Sequence, residues 1–393
     1  MVPLREGRVV TCAERGSVLT RQRIDIHSLF MRSPPLLDSD VAGVRCLFSR
    51  LLLPLPFRRE GGIIIGRMNE GNGRHRLPAT GAARERVRLG KRLSGWLGCT
   101  ALLALHHLAK RAPVSLVYWL GERLGKLAYR LSRRYRRVAE QNLQMAFGDS
   151  LSPQQRRRLA QQVFVHFTTS LMEFLLADRL SPDDLRRMVT IVGEEHLQRC
   201  VQQGKGTLLI TAHYGNWEIA ARYVTQCKGY PLSVVARDAD NGAAARLINR
   251  LRERGGYRVI PRGQAARPVL QALRRNELVA LLPDQNAGDV FVPFFGRLAG
   301  TVAGPALLAL RSGAPLLPAF CTRQPDHTYL IEILPPLEIQ PSGDKERDVF
   351  DIMARLTALI EQQIRKHPAQ WLWLHNRWKT RPLEEAHAPS IAR

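Results

Sequence analysis

The chain is predicted to be α/β, with a mainly parallel sheet flanked by helices and a helical segment ahead of it. Two observations carry this. From residue 189 to residue 366, short apolar, β-branched runs alternate with longer helical stretches, the pattern of strand–helix units laid on one sheet. No repeat and no internal linker interrupts the chain after residue 150. The 393 residues are 45% hydrophobic, so an extended core is possible.

Residues 1–67 mix Arg, Pro and Ser with isolated apolar pieces and hold no sustained period of either kind. Charges and prolines interrupt any apolar run there, so the stretch does not read as a signal peptide. Met68 opens a polar stretch and is the expected physiological start; the alternative is a disordered N-terminal arm. Residues 1–83 together are expected to be disordered or a non-native extension. Residues 84–150 alternate basic and apolar blocks. The longest apolar run, 96–105, is too short to span a bilayer, and Pro113 breaks its helix before 114–120 resumes. With Arg133, Arg134, Arg136 and Arg137 close by, two readings stand. One is an amphipathic hairpin embedded in a membrane face with arginines at anionic headgroups; the other is a buried helix pair with solvated charges.

The catalytic domain is expected over 151–382, with 383–393 a disordered tail. Ser152-Pro-Gln-Gln155 and Ser181-Pro-Asp-Asp184 are N-cap signals, each with Pro at the first helical position, and each starts a helix. Residues 189–192 read as the first strand, and a helix 194–203 stops at Gly204. Further strands are expected at 208–211, 232–236, 257–260, 278–282, 316–320 and 329–333. Helices are expected from Trp217, and over 241–254, 267–275, 303–311 and 349–366.

The net charge is +25. Such a surface suits an anionic partner: nucleic acid, an anionic membrane or an acidic protein. No RNP, zinc-finger or KH signature supports nucleic acid. The six cysteines are scattered, with no CxxC spacing, which fits a reducing compartment and points to no metal site or disulfide framework.

The stretch most informative about chemistry is Thr207-Leu-Leu-Ile-Thr-Ala-His-Tyr-Gly-Asn-Trp-Glu218. A buried strand turns through His213, Tyr214 and Gly215 into a helix capped by Asn216. His213 then stands at the carboxyl end of a strand, where open α/β sheets bind ligands, with Glu218 in the first turn of the next helix. An imidazole can deprotonate a hydroxyl, and a carboxylate on its other nitrogen fixes its tautomer. No G-x-S-x-G elbow offers an enzyme nucleophile, so the activated hydroxyl is the substrate's. The spacing alone is weak: chance gives roughly one His-x-x-x-x-acid match in this composition. The other match, His327 to Glu332, reads as one strand whose residues five apart face opposite ways. The plain alternative is a turn histidine beside a glutamate favoured by the helix dipole.

Thr211-Ala-His-Tyr-Gly-Asn-Trp-Glu218 resembles the signature of the late lipid A acyltransferases, within the wider lysophospholipid acyltransferase group. Further matches follow in the family's order: Arg237 to Asn241, Arg254-Gly-Gly256, Asp284-Gln285 with Gly288, Pro293-Phe-Phe-Gly296 with Thr301, and 368–379. The resemblance spans about residues 90 to 380. It implies a glycerolphosphate-acyltransferase-like fold, with His213 and Glu218 catalytic. It also implies substrate contacts from Arg237, Asn216, Arg254, Asp284 and Gln285. The implied acyl donor is an acyl thioester, either acyl-acyl carrier protein or acyl-coenzyme A, with no other cofactor. The acceptor is a hydroxyl of a lipid A precursor, a lysophospholipid or glycolipid being the alternative. The implied partners are acyl carrier protein, a lipid and the cytoplasmic face of the inner membrane, not nucleic acid.

Other roles stay open at this stage. Arg237 follows a strand end and could bind a phosphate or steady an oxyanion; an ion pair with Asp238 or Asp240 is the plain alternative. Asp284 and Gln285 close the next strand on the same rim, expected to hydrogen-bond the acceptor or Arg237, with a plain turn as the alternative. Residues 291–296 read as an apolar loop that lines an acyl-chain channel or simply packs. The Trp-rich run 371–378 reads as an interfacial belt or as a helix on the sheet, and the resemblance favours packing near the active rim.

Overall fold

The computed structural model describes residues 100–236 and 243–382. The expectations for the segment before residue 100, for the Met68 start, for Arg237 and for the tail after 382 lie outside these residues.

One sheet with helices on both faces organises the fold. The strands are β1 (Val189–Val192), β2 (Thr207–Ile210), β3 (Leu232–Ala236), β4 (Arg258–Pro261), β5 (Leu278–Leu281), β8 (Leu316–Arg323) and β9 (Tyr329–Ile333). They form one seven-stranded sheet in the order β1-β9-β8-β2-β5-β3-β4. β8, β2, β5, β3 and β4 run parallel to one another. β9 is antiparallel to β8 and carries β1 parallel beside it, so one edge is reversed. β2 is central and buried along its whole length.

Pleating divides the core. Leu208 and Ile210 pack on one face with Val279, Leu281 and Leu316; Leu209 packs on the other with Leu278 and Leu317. The first face is covered by α9 (Ala266–Arg274), α10 (Gly304–Ser312) and α11 (Lys345–Lys366). The second is covered by α6 (Glu194–Gln202) and α7 (Trp217–Gln226). α8 (Ala243–Arg254) leads into β4.

Ahead of the sheet lie α1 (residues 100–111), α2 (Val114–Leu131), α3 (Arg133–Phe147), α4 (Pro153–Leu176) and the short α5 (Pro182–Met188). Pro113 does interrupt the first pair, standing as the N-cap of α2. Both expected capping boxes form. Ser152 Oγ accepts from Gln155 N while Gln155 reaches back to Ser152 N, and Ser181 and Asp184 repeat the exchange. α2 lies so close to α4 that a Cβ on Gly125 would stand 2.5 Å from Val165 Cα, which only glycine permits. The opposite face of α2 leaves Leu116, Trp119, Leu127 and Leu131 exposed, and Val114 is exposed at its first turn. Among the described residues no helix is long and apolar enough to cross a membrane.

Three local expectations need correction. Residues 291–296 are not a loop. They belong to a hairpin of β6 (Val290–Phe294) and β7 (Arg297–Thr301), closed by Phe295 and Gly296, both at positive φ. The Trp-rich run is not a helix: after a 3₁₀ turn (Pro368–Gln370), Trp371 pairs as a bridge with Tyr214. His327 is not on a strand but in the turn before β9, at φ 65°, where its ring stacks on Tyr118 at 3.8 Å. Glu332 instead accepts from Gln363 and Lys366, so the His327–Glu332 pair does not form.

Candidate active site

β2 ends at Ile210 and Thr211 N still donates to Leu281 O, so the chain leaves the sheet still tied to β5. The following turn is closed by glycine. Gly215 has φ 58°, and a Cβ there would meet Cys321 O at 1.7 Å. Asn216 then caps α7, its Oδ1 accepting from Ile219 N. His213, held in this turn, is 24% exposed at its side chain.

Its carboxylate partner comes from the neighbouring strand. Ile210 of β2 is in register with Leu281 of β5, and His213 and Asp284 each stand three residues beyond that pair. His213 Nδ1 lies 2.8 Å from Asp284 Oδ1, and His213 N donates to Asp284 Oδ2 at 2.8 Å. Trp371 Nε1 donates to Oδ2 as well, at 2.8 Å. Burial alone would push the Asp284 carboxyl up, but the His213 imidazole, its hydrogen bond and the bonds from Trp371 and the His213 backbone outweigh it and hold the group below the ordinary carboxylate range. An ionised Asp284 can only accept, so the proton of a neutral His213 sits on Nδ1 and the lone pair on Nε2. On that side Gln285 Nε2 stands 3.4 Å from His213 Nε2. Trp217 meets the imidazole edge-on, with ring centres 5.4 Å apart.

Glu218 does not take the expected place on His213. It lies on the face of α7 turned toward α8 and β4. There Arg252 binds it through Nε and Nη2, Tyr257 Oη donates to it, and Trp217 Nε1 donates at 3.3 Å. Burial would raise the Glu218 carboxyl, but Arg252 and these donors hold it below the ordinary range. The same cluster pushes the Tyr257 hydroxyl well up, through burial and then Glu218. Local spacing pointed to this carboxylate; sheet neighbours supply the other.

Of the expected substrate contacts, Asp284, Gln285 and Asn216 gather at the histidine turn and Arg254 bonds elsewhere. Asn216 is buried with both ends of its amide engaged, Nδ2 donating to Glu173 Oε2 at 2.6 Å. Arg254 pairs with Asp178 at 2.6 Å and is 59% exposed, away from the histidine turn. Among the described residues the two Asp284 oxygens are taken by His213 and Trp371.

The C-terminal run, expected as an interfacial belt or as a helix on the sheet, packs against the histidine turn and its carboxylate. Besides Trp371, the buried Arg377 donates to Gln285 O at 3.4 Å and to Thr301 Oγ1 at 2.6 Å. Burial pulls the Arg377 guanidinium down to about 10 even with Asp284 opposing. His375 Nε2 accepts from Asn286 N, and Asn142 Nδ2 donates to the carbonyls of Trp373 and His375. Phe294 and Phe295 pack edge-on among Trp371 and Trp373, so these two hairpin aromatics are core. Among the described residues no group of three or more His, Cys, Asp and Glu is placed to hold a metal ion.

Comparison with known proteins adds a family. Residues 83–380 match the bacterial lipid A biosynthesis acyltransferases. The chain is 32% identical over 292 residues to the lipid A biosynthesis lauroyltransferase of Escherichia coli (strain K12), covering 73% of this chain and 92% of that one. It is 27% identical over 296 residues to the palmitoleoyltransferase of the same organism, covering 74% and 92%. A phosphatidylinositol mannoside acyltransferase of Mycobacterium tuberculosis (strain CDC 1551 / Oshkosh) is 32% identical over 194 residues, 48% of this chain and 59% of that one.

Proposed function

Because the chain belongs to the bacterial lipid A biosynthesis acyltransferases, we propose that it moves a fatty acyl group from acyl-acyl carrier protein to a hydroxyl of a phosphorylated lipid A precursor, with His213 as the general base. The observation that carries this is the His213–Asp284 pair at the carboxyl rim of the central strands, which leaves the Nε2 lone pair of a partly exposed imidazole free of the carboxylate.

The acceptor hydroxyl gives its proton to His213 Nε2. Asp284 holds the Nδ1 proton and stabilises the imidazolium that forms. The acceptor oxygen attacks the thioester carbonyl, a C–O bond forms, the C–S bond breaks, and the leaving thiolate takes a proton back from the imidazolium. The step uses donor and acceptor only, with no covalent enzyme intermediate. Gln285 lies against the reacting nitrogen and contacts the acceptor in this reading. Glu218 acts at one remove, tying α7 to α8 through Arg252. Arg237, the residue after β3 in the sequence, is the candidate ligand for the precursor's phosphate. Acidic acyl carrier protein suits a chain of charge +25.

Attachment to the cytoplasmic face of the inner membrane belongs to the same proposal. It is supported by the exposed Trp119, Leu127 and Leu131 of α2, with Arg123 over the Trp119 ring. The likeness to a phosphatidylinositol mannoside acyltransferase favours one second reading, in which the acceptor is another glycolipid.

The test is mass spectrometry of the product made by purified enzyme from acyl-acyl carrier protein and a phosphorylated disaccharide precursor. One acyl mass increment is expected. Acylation of lysophospholipid alone, from acyl-coenzyme A alone, would overturn both donor and acceptor.

A further inference from the structure

Behind the histidine turn lies a buried polar cluster that the transfer step does not use. Arg323, at the end of β8, is 10% exposed at its side chain, and Glu173 of α4 is 2% exposed. Arg323 Nη2 donates to Glu173 Oε2 and to Ser170 Oγ, each at 2.6 Å. Arg323 Nη1 lies 2.9 Å from His166 Nδ1. A guanidinium only donates, so His166 Nδ1 accepts, and its proton sits on Nε2. Nε2 therefore donates to Gly215 O, 3.1 Å away. Burial, and then the arginine charge, keep this imidazole well below its ordinary pKa, consistent with the neutral tautomer.

Glu173 Oε2 has a second donor, Asn216 Nδ2 at 2.6 Å. The two residues that follow His213 and Tyr214 are thus held from behind: Gly215 by its carbonyl, Asn216 by its amide. The backbone of the turn is clasped as well, Gly215 N donating to Gln370 O and Asn216 N to Cys321 O. Gln370 in turn bonds both the N–H and the carbonyl of Arg323. The residue after Gln370 is Trp371, whose indole holds Asp284.

A buried ion pair is a poor source of stability, since well-packed apolar residues of similar volume often do as well. Here Glu173 Oε2 bonds the Asn216 amide directly and Arg323 reaches the Gly215 carbonyl through His166, while Glu173 Oε1 and Arg323 Nε are buried with no partner among the described residues. We propose that Glu173 and Arg323, with His166, are positioning residues for acyl transfer: they set the Asn216 amide and the Gly215 carbonyl, and so the path of the chain that aims His213 at the acceptor. The proposal rests on His213 being the base.

A donor–acceptor swap tests it. Asn216→Asp sets a carboxylate against Glu173 yet still caps α7. A displacement of about 1 Å can cost roughly 10²-fold in rate, and a kcat loss of that order is expected with KM within about threefold. Adding Glu173→Gln removes the repulsion between the two carboxylates and keeps one negative charge in the cluster, but the one atom that meets Asn216 also accepts from Arg323 Nη2, so an amide there cannot serve both and a partial recovery, of at least about threefold in kcat, is expected. A double variant that regains the wild-type melting temperature without regaining kcat would overturn the proposal, as would an Asn216→Asp kcat within about threefold of wild type. Should Asn216→Asp fail to fold, Arg323→Lys serves. A single ammonium cannot reach Glu173, Ser170 and His166 in the guanidinium's geometry, so a loss of about tenfold in kcat is expected, and unchanged kcat refutes it. Wild-type enzyme is assayed first on each acceptor class. Silence on the lipid A precursor strikes the acceptor reading alone, and the variants are then ranked on the acceptor that turns over.

Discussion

Asp284→Asn is the most informative single substitution, because each oxygen of Asp284 has a distinct duty. Oδ2 accepts from two fixed donors, the His213 backbone N–H and the Trp371 indole, both at 2.8 Å. A carboxamide must turn its oxygen toward these, since an amide nitrogen there would face two donors. Its NH₂ then faces His213 Nδ1, which is compelled to accept, and the imidazole proton moves to Nε2. The base loses its lone pair at the nitrogen that faces the acceptor. General-base catalysis is worth about 10²–10⁴-fold, or about 2.7–5.4 kcal/mol at about 1.36 kcal/mol per tenfold. The loss should fall on kcat, with the two Oδ2 bonds retained and stability reduced by no more than about 1–3 kcal/mol. Initial rates at varied acceptor concentration, with a thermal melt of the same preparation, separate the two. A folded Asp284→Asn enzyme within about threefold of wild-type kcat would refute the tautomer argument.

Three other expectations follow from the same contacts. Glu218→Ala leaves the partly buried Arg252 and the buried Tyr257 hydroxyl without their acceptor, so it should cost stability, about 1–3 kcal/mol, measured as a fall in denaturation midpoint; a variant as stable as wild type but inactive would return Glu218 to the reacting centre. Trp119→Glu with Leu127→Glu replaces residues 52% and 43% exposed, so it should leave the fold intact while weakening sedimentation with anionic vesicles; equal binding would remove α2 from the membrane face. Asp284 and Glu218 both have folded-state pKa values below their ordinary ones, so their contribution is present above about pH 4 and lost as pH falls through the depressed values; denaturation midpoints that rise as pH drops from 5 to about 3 would contradict it.

The local half of the site was legible and the nonlocal half was not. Gly215, Asn216 and the apolar run before them announce a strand, a turn and a capped helix, and the chain folds so. The carboxylate on His213 was misassigned because β2 and β5 are neighbours in the sheet but separated in sequence by β3 and β4. Nothing in a spacing of 71 residues reveals that adjacency. The His213–Glu218 spacing was local, and local spacing does not say which face of α7 a side chain takes. Trp371 and Arg377 were visible as composition but not as the clamp on Asp284 and Gln285, for the same reason. The β6–β7 hairpin escaped because its turn places Phe295, at φ 51°, where Asn or Gly is expected, and because Pro293 argues against a strand. The capping boxes at Ser152 and Ser181 were readable because every participant lies within three residues.

The central claim is that His213 removes the acceptor's proton. It is tested most directly by the kcat of His213→Ala at saturating donor and acceptor, with His327→Ala as the control histidine. The account expects His213→Ala to lose about 10²–10⁴-fold with its melting temperature retained, to recover partly on addition of free imidazole, and to leave His327→Ala near wild type. A His213→Ala enzyme that transfers acyl groups within about threefold of wild type, or losses of equal size at the two histidines, would contradict it.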